Sequence, residues 1–259
     1  MPREETLHTA AKWIRTSRNL IAFTGAGISV ESGIPSFRGS SGIWSKYDPT
    51  VLELSFFHNN PTESWIAIRE IFYSFMAEAQ PNEAHFFLSD LERAGKLKFL
   101  ITQNIDDLHY RAGSRNLAEF HGNSRYLVCQ KTRKKVLAET VDMTDLPPLS
   151  PDGGLYKPDF VFFGEAIPME AALKSQKACE QADTMLIIGS TGEVYPAAAL
   201  PSLAKQSGAR IIEINPEESA FSAHITDLHV QLTAVQACME LRHILQLPRT
   251  IPGYDPAEL

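Results

Sequence analysis

Cysteine is scarce in this chain of 259 residues: Cys129, Cys179 and Cys238 are the three it has. A set that is odd in number and widely spaced excludes a disulfide framework as the organising device and fits reduced thiols. Positive charge is short as well, with 24 Lys and Arg against 31 Asp and Glu, a formal net charge of -7 and a pI near 5.6. That balance argues against a non-specific grip on nucleic acid, so no nucleic-acid partner is expected. No apolar run is long enough for a membrane span. The opening residues Met1-Pro2-Arg3-Glu4-Glu5 are charged and lead into an amphipathic segment from Leu7 to Ser17, so no secretory leader is expected either, and a cytoplasmic protein is. No internal repeat is present. The remaining composition, 44% hydrophobic and 21% charged, is that of an ordinary globular chain with one sizeable core and room for a smaller lobe.

What is there begins with Asn19 to Arg38. Asn19-Leu20-Ile21-Ala22-Phe23 has the length and apolarity of a buried strand, and it runs into Thr24-Gly25-Ala26-Gly27-Ile28-Ser29. Two glycines one residue apart let backbone N–H groups approach a pyrophosphate, and a helix starting there adds its positive end. Val30 stands where a common dinucleotide loop has its third glycine, and Gly33-Ile34-Pro35 ends any helix early. Gly39 to Pro49, with Trp44 in its middle, reads as a long ordered loop of the kind that serves as a lid or binding segment. Asn60-Pro61-Thr62-Glu63 opens a helix in which Trp65, Ile68, Ile71, Phe72 and Phe75 recur at helical spacing, and Pro81-Asn82 opens another, with Phe86, Phe87 and Leu91 as its buried side.

Further strands are expected at Leu97–Ile101, at 184–188 and at 210–214, each ending in small or hydrogen-bonding residues: Thr102-Gln103-Asn104-Ile105-Asp106, Gly189-Ser190-Thr191, and Asn215-Pro216. Helices over 168–182 and 197–207 alternate with them. Four apolar strands joined by helices predict an α/β fold, a doubly wound parallel sheet of Rossmann-like type, with ligands beyond the carboxyl ends of the strands. The large domain is expected from 1–37, 96–122 and 158–259, and a smaller inserted lobe from 38–95 and 123–157.

In that order, Gly25-Ala26-Gly27-Ile28-Ser29, Gly33-Ile34-Pro35-Ser36-Phe37-Arg38, Thr102-Gln103-Asn104-Ile105-Asp106, His121-Gly122, Phe163-Gly164-Glu165 and Gly189-Ser190-Thr191 resemble the motifs of the sirtuin family, and the match covers nearly the whole chain. The resemblance implies an enzyme that cleaves NAD, as co-substrate, at its nicotinamide–ribose bond and transfers the acyl group of an acyl-lysine onto ADP-ribose. It implies that Gly25, Ala26, Gly27 and Ser29 lie at the pyrophosphate, that Pro35, Phe37 and Arg38 belong to the cofactor loop, and that Gln103, Asn104, Ile105 and Asp106 line the nicotinamide and ribose pocket. His121 is then the general base. Gly189, Ser190, Thr191, Asn215, Glu217 and Ala234 would hold the adenosine half. Val161-Phe162-Phe163-Gly164-Glu165 and Glu193-Val194-Tyr195 would be the two edges between which a substrate peptide adds as a strand.

Two departures from the family pattern matter. Sirtuins commonly hold a structural zinc on two Cys-x-x-Cys pairs. Here Cys129 stands alone, with Thr132 in its partner's place and Leu149 and Asp152 at the second pair, so no metal is expected, and Leu146-Pro147-Pro148-Leu149 is the expected apolar patch of that lobe. Members that prefer acidic acyl groups carry a Tyr-x-x-Arg pair, whose places fall near Ile68 and Ile71, which favours acetyl or longer fatty acyl groups. Lys131, Arg133, Lys134 and Lys135 form a basic cluster read first as a solvated hairpin end. The alternatives are mono-ADP-ribosyl transfer or NAD hydrolysis on the same fold, and an idle NAD-sensing module. A hydride-transferring dehydrogenase fails on Val30, on Pro35, and on the lack of an acid-bearing strand about twenty residues past the glycines.

Overall fold

The computed structural model describes residues 2–35 and 42–249. Phe37 and Arg38 lie outside the described residues. Helix α1 (Arg3–Thr16) buries Leu7, Ala10, Ala11 and Ile14 and leads to strand β1 (Leu20–Thr24), all five residues of which are buried. A seven-residue 3-10 helix, Ala26–Ser32, follows, and Gly33 closes it in the left-handed region. The helix is therefore finished before Pro35, as the sequence predicts.

Helices α2 (Leu54–Asn59) and α3 (Pro61–Ile68) come next, and the chain continues from α3 as a π-helix, Arg69–Phe75. Asn60 stands at the start of α3 without a side-chain capping bond, so Pro61 and Glu63 alone carry that start. Helix α4 (Glu83–Arg93) is capped by Asn82, whose side chain accepts from the Ala84 N–H. Strand β2 (Leu97–Thr102), helix α5 (Leu108–Arg111) and strands β3 (Leu117–Glu119), β4 (Gly122–Cys129), β5 (Lys135–Leu137) and β6 (Tyr156–Phe160) follow. The chain ends in α6 (Met169–Gln181), β7 (Thr184–Ile188), α7 (Ala199–Gln206), β8 (Arg210–Ile214), β9 (Leu228–Val230) and α8 (Ala234–Leu245).

Six strands form one sheet in the order β3-β2-β1-β7-β8-β9, and every pair in it is parallel. This is the doubly wound α/β arrangement. Successive strands run outward one way from β1 and then the other way from β7, so the direction of winding reverses between those two strands and opens a crevice beyond their carboxyl ends. Two of the six, β3 and β9, have three residues each and were not expected as strands. Their brevity denies them the periodicity by which strands are recognised.

Leu7, Ile14, Phe87, Leu88, Leu91, Ala237 and Leu241 cover one face of the sheet, drawn from α1, α4 and α8. Cys179, Ala182, Leu200 and Ala204 from α6 and α7 cover the other. Helix α4, placed by sequence in the small lobe, thus packs on the sheet, because Ala84, Phe87, Leu88 and Leu91 share one apolar side at helical spacing.

The smaller lobe has its own antiparallel sheet, β5-β4-β6. Its core joins both insertions: Phe57, Trp65, Ile68, Ile71 and Phe72 from the helical one meet Leu127, Cys129, Tyr156, Phe160 and Phe162. The Trp65 indole donates to the Tyr156 carbonyl at 2.9 Å. That shared core, and not a local patch, holds the lobe, since Pro148 is buried but Leu149 is 58% exposed. Half of the basic cluster is spent internally, Lys131 on the Asp152 carbonyl and Lys135 on Asp159 and the Tyr126 ring.

Candidate active site

The crevice is closed at its base by an unusually tight meeting of two loops. Gly27 N–H donates to the Gly189 carbonyl at 2.8 Å, and Gly25 N–H to the Ile188 carbonyl at 3.1 Å. A Cβ on Gly27 would stand 2.6 Å from the Gly189 Cα, and one on Gly189 would stand 2.4 Å from the Ile28 nitrogen. The glycines are thus required by the approach of one loop to the other. Their N–H groups are taken by backbone carbonyls of the facing loop.

Above this floor, Ser29 collects the polar side chains. Its hydroxyl donates to Asp106 Oδ2 at 2.7 Å and accepts from Asn104 Nδ2 at 3.2 Å, while the same amide reaches the Gly25 carbonyl at 3.2 Å. Asp106 Oδ1 accepts from the Leu108 N–H at 3.0 Å. Burial pushes the Asp106 carboxyl above its ordinary range, against the pull of these bonds and of Arg111. Ala26, Ser29, Ile34, Met76, Asn104, Ile105 and Asp106 line a small pocket, so one cavity collects the three polar side chains. Pro35 follows Ile34 at the edge of the described chain.

Behind Ser29 stands a residue that sequence reading passed over. His85, fully buried, lies with Nε2 3.4 Å from the Ser29 hydroxyl, and its Nδ1 accepts from the Asn82 N–H at 3.2 Å. The same Nδ1 lies 3.0 Å from Asn82 Oδ1, so Asn82 holds the ring by both its backbone and its side chain. The second buried histidine, His109, packs on it at 4.8 Å and meets the Thr24 hydroxyl at 2.9 Å. Burial holds both well below the usual imidazole range, His109 at about 3, so both are neutral. Asn82-x-x-His85 at capping-box spacing was the signal.

His121 sits where β3 turns into β4. Its Nδ1–H donates to the Gln103 carbonyl at 3.0 Å, which leaves Nε2 with its lone pair. Burial lowers its pKa, partly opposed by that bond. The His121 carbonyl accepts from the Val161 N–H at 2.8 Å, tying the imidazole's own residue to the Phe163-Gly164-Glu165 turn. Gly122 makes the crossing possible: at φ +72 its absent Cβ would stand 2.1 Å from the Asp159 carbonyl oxygen.

A cation binds the Asp106 and His121 segments together. Arg125 pairs with Asp107 and with Glu119, the latter at 3.2 Å, and its guanidinium lies 4.1 Å from the Tyr110 ring centre. Asp107 follows Asp106, and Glu119 precedes His121 by two. Burial pushes the Glu119 carboxyl up to about 7.

The other expected residues divide. Gln103 Nε2 donates to the Ser190 hydroxyl at 2.9 Å, and Asn215 Nδ2 to the Ser190 carbonyl at 3.2 Å, so these three form one wall across the strand-order reversal. Thr191 and Glu217 are exposed nearby on that side of the chain, and Ala234 is buried at the first turn of α8. Below Asn215, the fully buried Glu213 accepts from the hydroxyls of Ser219, Ser222 and Thr226 at 2.5, 2.9 and 2.6 Å.

Phe162 is 2% exposed and packs on Phe57 and Phe160, so its side chain belongs to the lobe core. Ile68 and Ile71 are likewise core residues, 0% and 2% exposed. Phe163 and Tyr195 are 47% and 75% exposed, and Glu193 is exposed beside the half-buried Val194. Glu165 accepts from Lys157 Nζ at 2.9 Å and from the Phe162 N–H at 3.0 Å.

A Rossmann-like sheet with a polar pocket beyond β1 and β2 and an imidazole beyond β3 defines an α/β protein with its site at the carboxyl ends of its strands, the arrangement that handles dinucleotides. The Sir2 family model matches residues 25–196. An NAD-dependent protein deacylase of Pyrococcus abyssi is 45% identical over 223 residues, 82% of this chain and 87% of that protein. A Sir2 homologue solved with NAD superposes with a TM-score of 0.83 at 38% identity, covering 92% of this chain and 93% of its own. A Sir2 protein solved with a propionylated peptide gives 0.85 at 34% identity, covering 96% and 100%. The chain belongs to the Sir2 family.

Proposed function

We propose that this protein is an NAD-dependent protein-lysine deacylase that releases nicotinamide and passes the acyl group to ADP-ribose. The observation that carries this reading is the convergence of Ser29, Asn104 and Asp106 with His121 at one end of the sheet. The small pocket puts Ser29, Asn104 and Asp106 in one wall of the crevice, beside the glycine floor. Asn104 and Asp106, held by Ser29, present fixed dipoles in a water-poor pocket, where charge developing at a ribose carbon is best stabilised. His121, neutral and fixed through Nδ1, accepts a proton at Nε2 from a ribose hydroxyl. Mono-ADP-ribosyl transfer or NAD hydrolysis keeps the first half of this chemistry, and the intact Asn104 and His121 favour the full sequence over an idle NAD sensor.

The acyl-lysine peptide joins as an added strand. Among the described residues the backbone of Gly164 and the carbonyl of Val161 carry no hydrogen bond, which leaves them for a peptide. Acetyl or longer fatty acyl groups are favoured over acidic ones, because Arg69, the cation of that helix, is spent on the Met143 carbonyl at 3.0 Å. We read the small lobe as zinc-free. Cys129 meets the Ser150 hydroxyl at 3.3 Å, and a Cβ on Gly154 would stand 2.5 Å from its sulfur, so a lone thiol in a filled space does not fit a tetrahedral thiolate site. The three cysteines are free, which fits a reducing, cytoplasmic setting.

Incubation with NAD and an acetyl-lysine peptide tests the reading. Nicotinamide and O-acetyl-ADP-ribose in equal amounts are expected. Nicotinamide released at the same rate without peptide would establish the hydrolase reading in its place.

A further inference from the structure

A groove of about 520 Å³ opens beside the peptide edge, lined by Glu53, Leu54, Ser55, His58, Phe163 and Gly164. Two backbone bonds build it: Leu54 N–H donates to the Phe163 carbonyl at 3.0 Å, and Phe163 N–H to the Leu52 carbonyl at 2.9 Å. One edge of the Phe163 segment is thus closed by the chain before α2, while Gly164 stays open. The groove continues the surface on which a peptide would lie.

We propose that this groove selects acyl-lysine substrates carrying a second, basic side chain close to the acylated lysine, and that Glu53 is the residue that reads it. The inference rests on the deacylase reading for the place of the peptide. Glu53 is exposed, and among the described residues its carboxylate has no ion pair or hydrogen bond. Every other acid around the peptide edge differs from it: Glu165 is neutralised by Lys157 at 2.9 Å, and Glu193 accepts from the Thr191 hydroxyl at 3.4 Å. Leu54 and the half-exposed Phe163 give the groove an apolar floor. An apolar floor with one carboxylate at its rim suits the methylene stem and cationic head of Lys or Arg. An acidic flanking residue would meet Glu53 unfavourably, and a small neutral one would leave the floor wet.

Peptides with one acetyl-lysine in a neutral sequence, and Arg, Gln or Glu placed in turn at each of the two positions on either side, separate the possibilities. At one position Arg should raise kcat/KM over Gln about three- to fivefold, the scale of one exposed ion pair, with the gain in KM and shrinking as salt is added. Glu53→Gln should bring the Arg/Gln ratio to about one, and Glu53→Lys should turn the preference towards Glu. No basic preference at any position, or one unchanged in Glu53→Gln, overturns the proposal. Anisotropy of the same labelled peptides reads the preference without turnover. Glu53-dependent binding of peptides that are never deacylated would refute the deacylase reading and leave the groove assignment standing.

Discussion

Among the described residues Ser29 is the only hydroxyl that touches both Asn104 and Asp106, donating to Asp106 at 2.7 Å and accepting from Asn104 at 3.2 Å. Ser29→Ala removes both bonds at once and leaves a buried carboxylate with one fewer donor. A hydrogen bond to a charged group contributes about 1.5–3 kcal/mol. Nicotinamide release should therefore fall roughly ten- to a hundredfold in kcat/KM for NAD, since 1.4 kcal/mol is about tenfold, while the circular dichroism spectrum stays that of the parent. A variant with unchanged kinetics would show that the pocket does not depend on this hydroxyl.

His121→Ala should abolish deacylation and leave NAD binding largely intact, measured by calorimetry beside the turnover assay. Equal loss of binding would make the imidazole a structural group.

The pH profile follows from the same residue. A base works in its neutral form, and burial lowers the His121 pKa, so the neutral form persists to lower pH than in a free imidazole. Activity is lost as pH falls through that pKa. The acid limb of kcat/KM should accordingly lie below about 6.5, the unperturbed imidazole value.

Glu119 gives a stability test with a definite sign. Its folded pKa of about 7 lies above the ordinary 4.5, so between these values the folded state holds a proton that the unfolded state has released. The group's contribution is complete below 4.5 and is lost as pH rises through 7. The Asn123 hydrogen bond and Lys135 pull the other way, and burial outweighs them. The urea midpoint should drop more between pH 5 and pH 8 in the parent than in Glu119→Gln.

Glu213→Ala leaves three hydroxyls without their acceptor and a hole beneath the Ser219–Thr226 turn. A cost of about 3 kcal/mol is expected, or roughly 6–12 °C in Tm for a chain of this size. A shift under about 2 °C would mean that this buried carboxylate is not what secures the turn.

How much of this could be read beforehand depends on where the information lay. β1, β2, β7 and β8 are buried runs ending in polar residues, and such runs are local. Asn104, Asp106 and His121 were found because they sit in short contiguous motifs. Arg125 and Glu213 were missed because their meaning lies in partners far off in the chain or spread around a turn. Nothing in the sequence marks Lys157, yet it is 4% exposed and holds Glu165 together with the Pro158 and Phe160 carbonyls. The position of α4 was misread because its apolar stripe shows that it packs without showing on what.

Zinc is decided by elemental analysis of protein prepared without chelator. Less than about a tenth of an equivalent is expected, since tetrahedral thiolate sites need all their ligands. A full equivalent would reverse the reading of Cys129.

The bond from Trp65 to the Tyr156 carbonyl has a consequence for the order of assembly. A growing chain makes Phe57, Trp65 and Phe72 some ninety residues before Tyr156 and Phe160, the partners that cover them. Until then those rings lack the β6 side of their core. The small lobe completes its core before β7, β8 and β9 complete the large sheet, and until Tyr156 and Phe160 emerge its aromatic half-core is a surface in need of shelter.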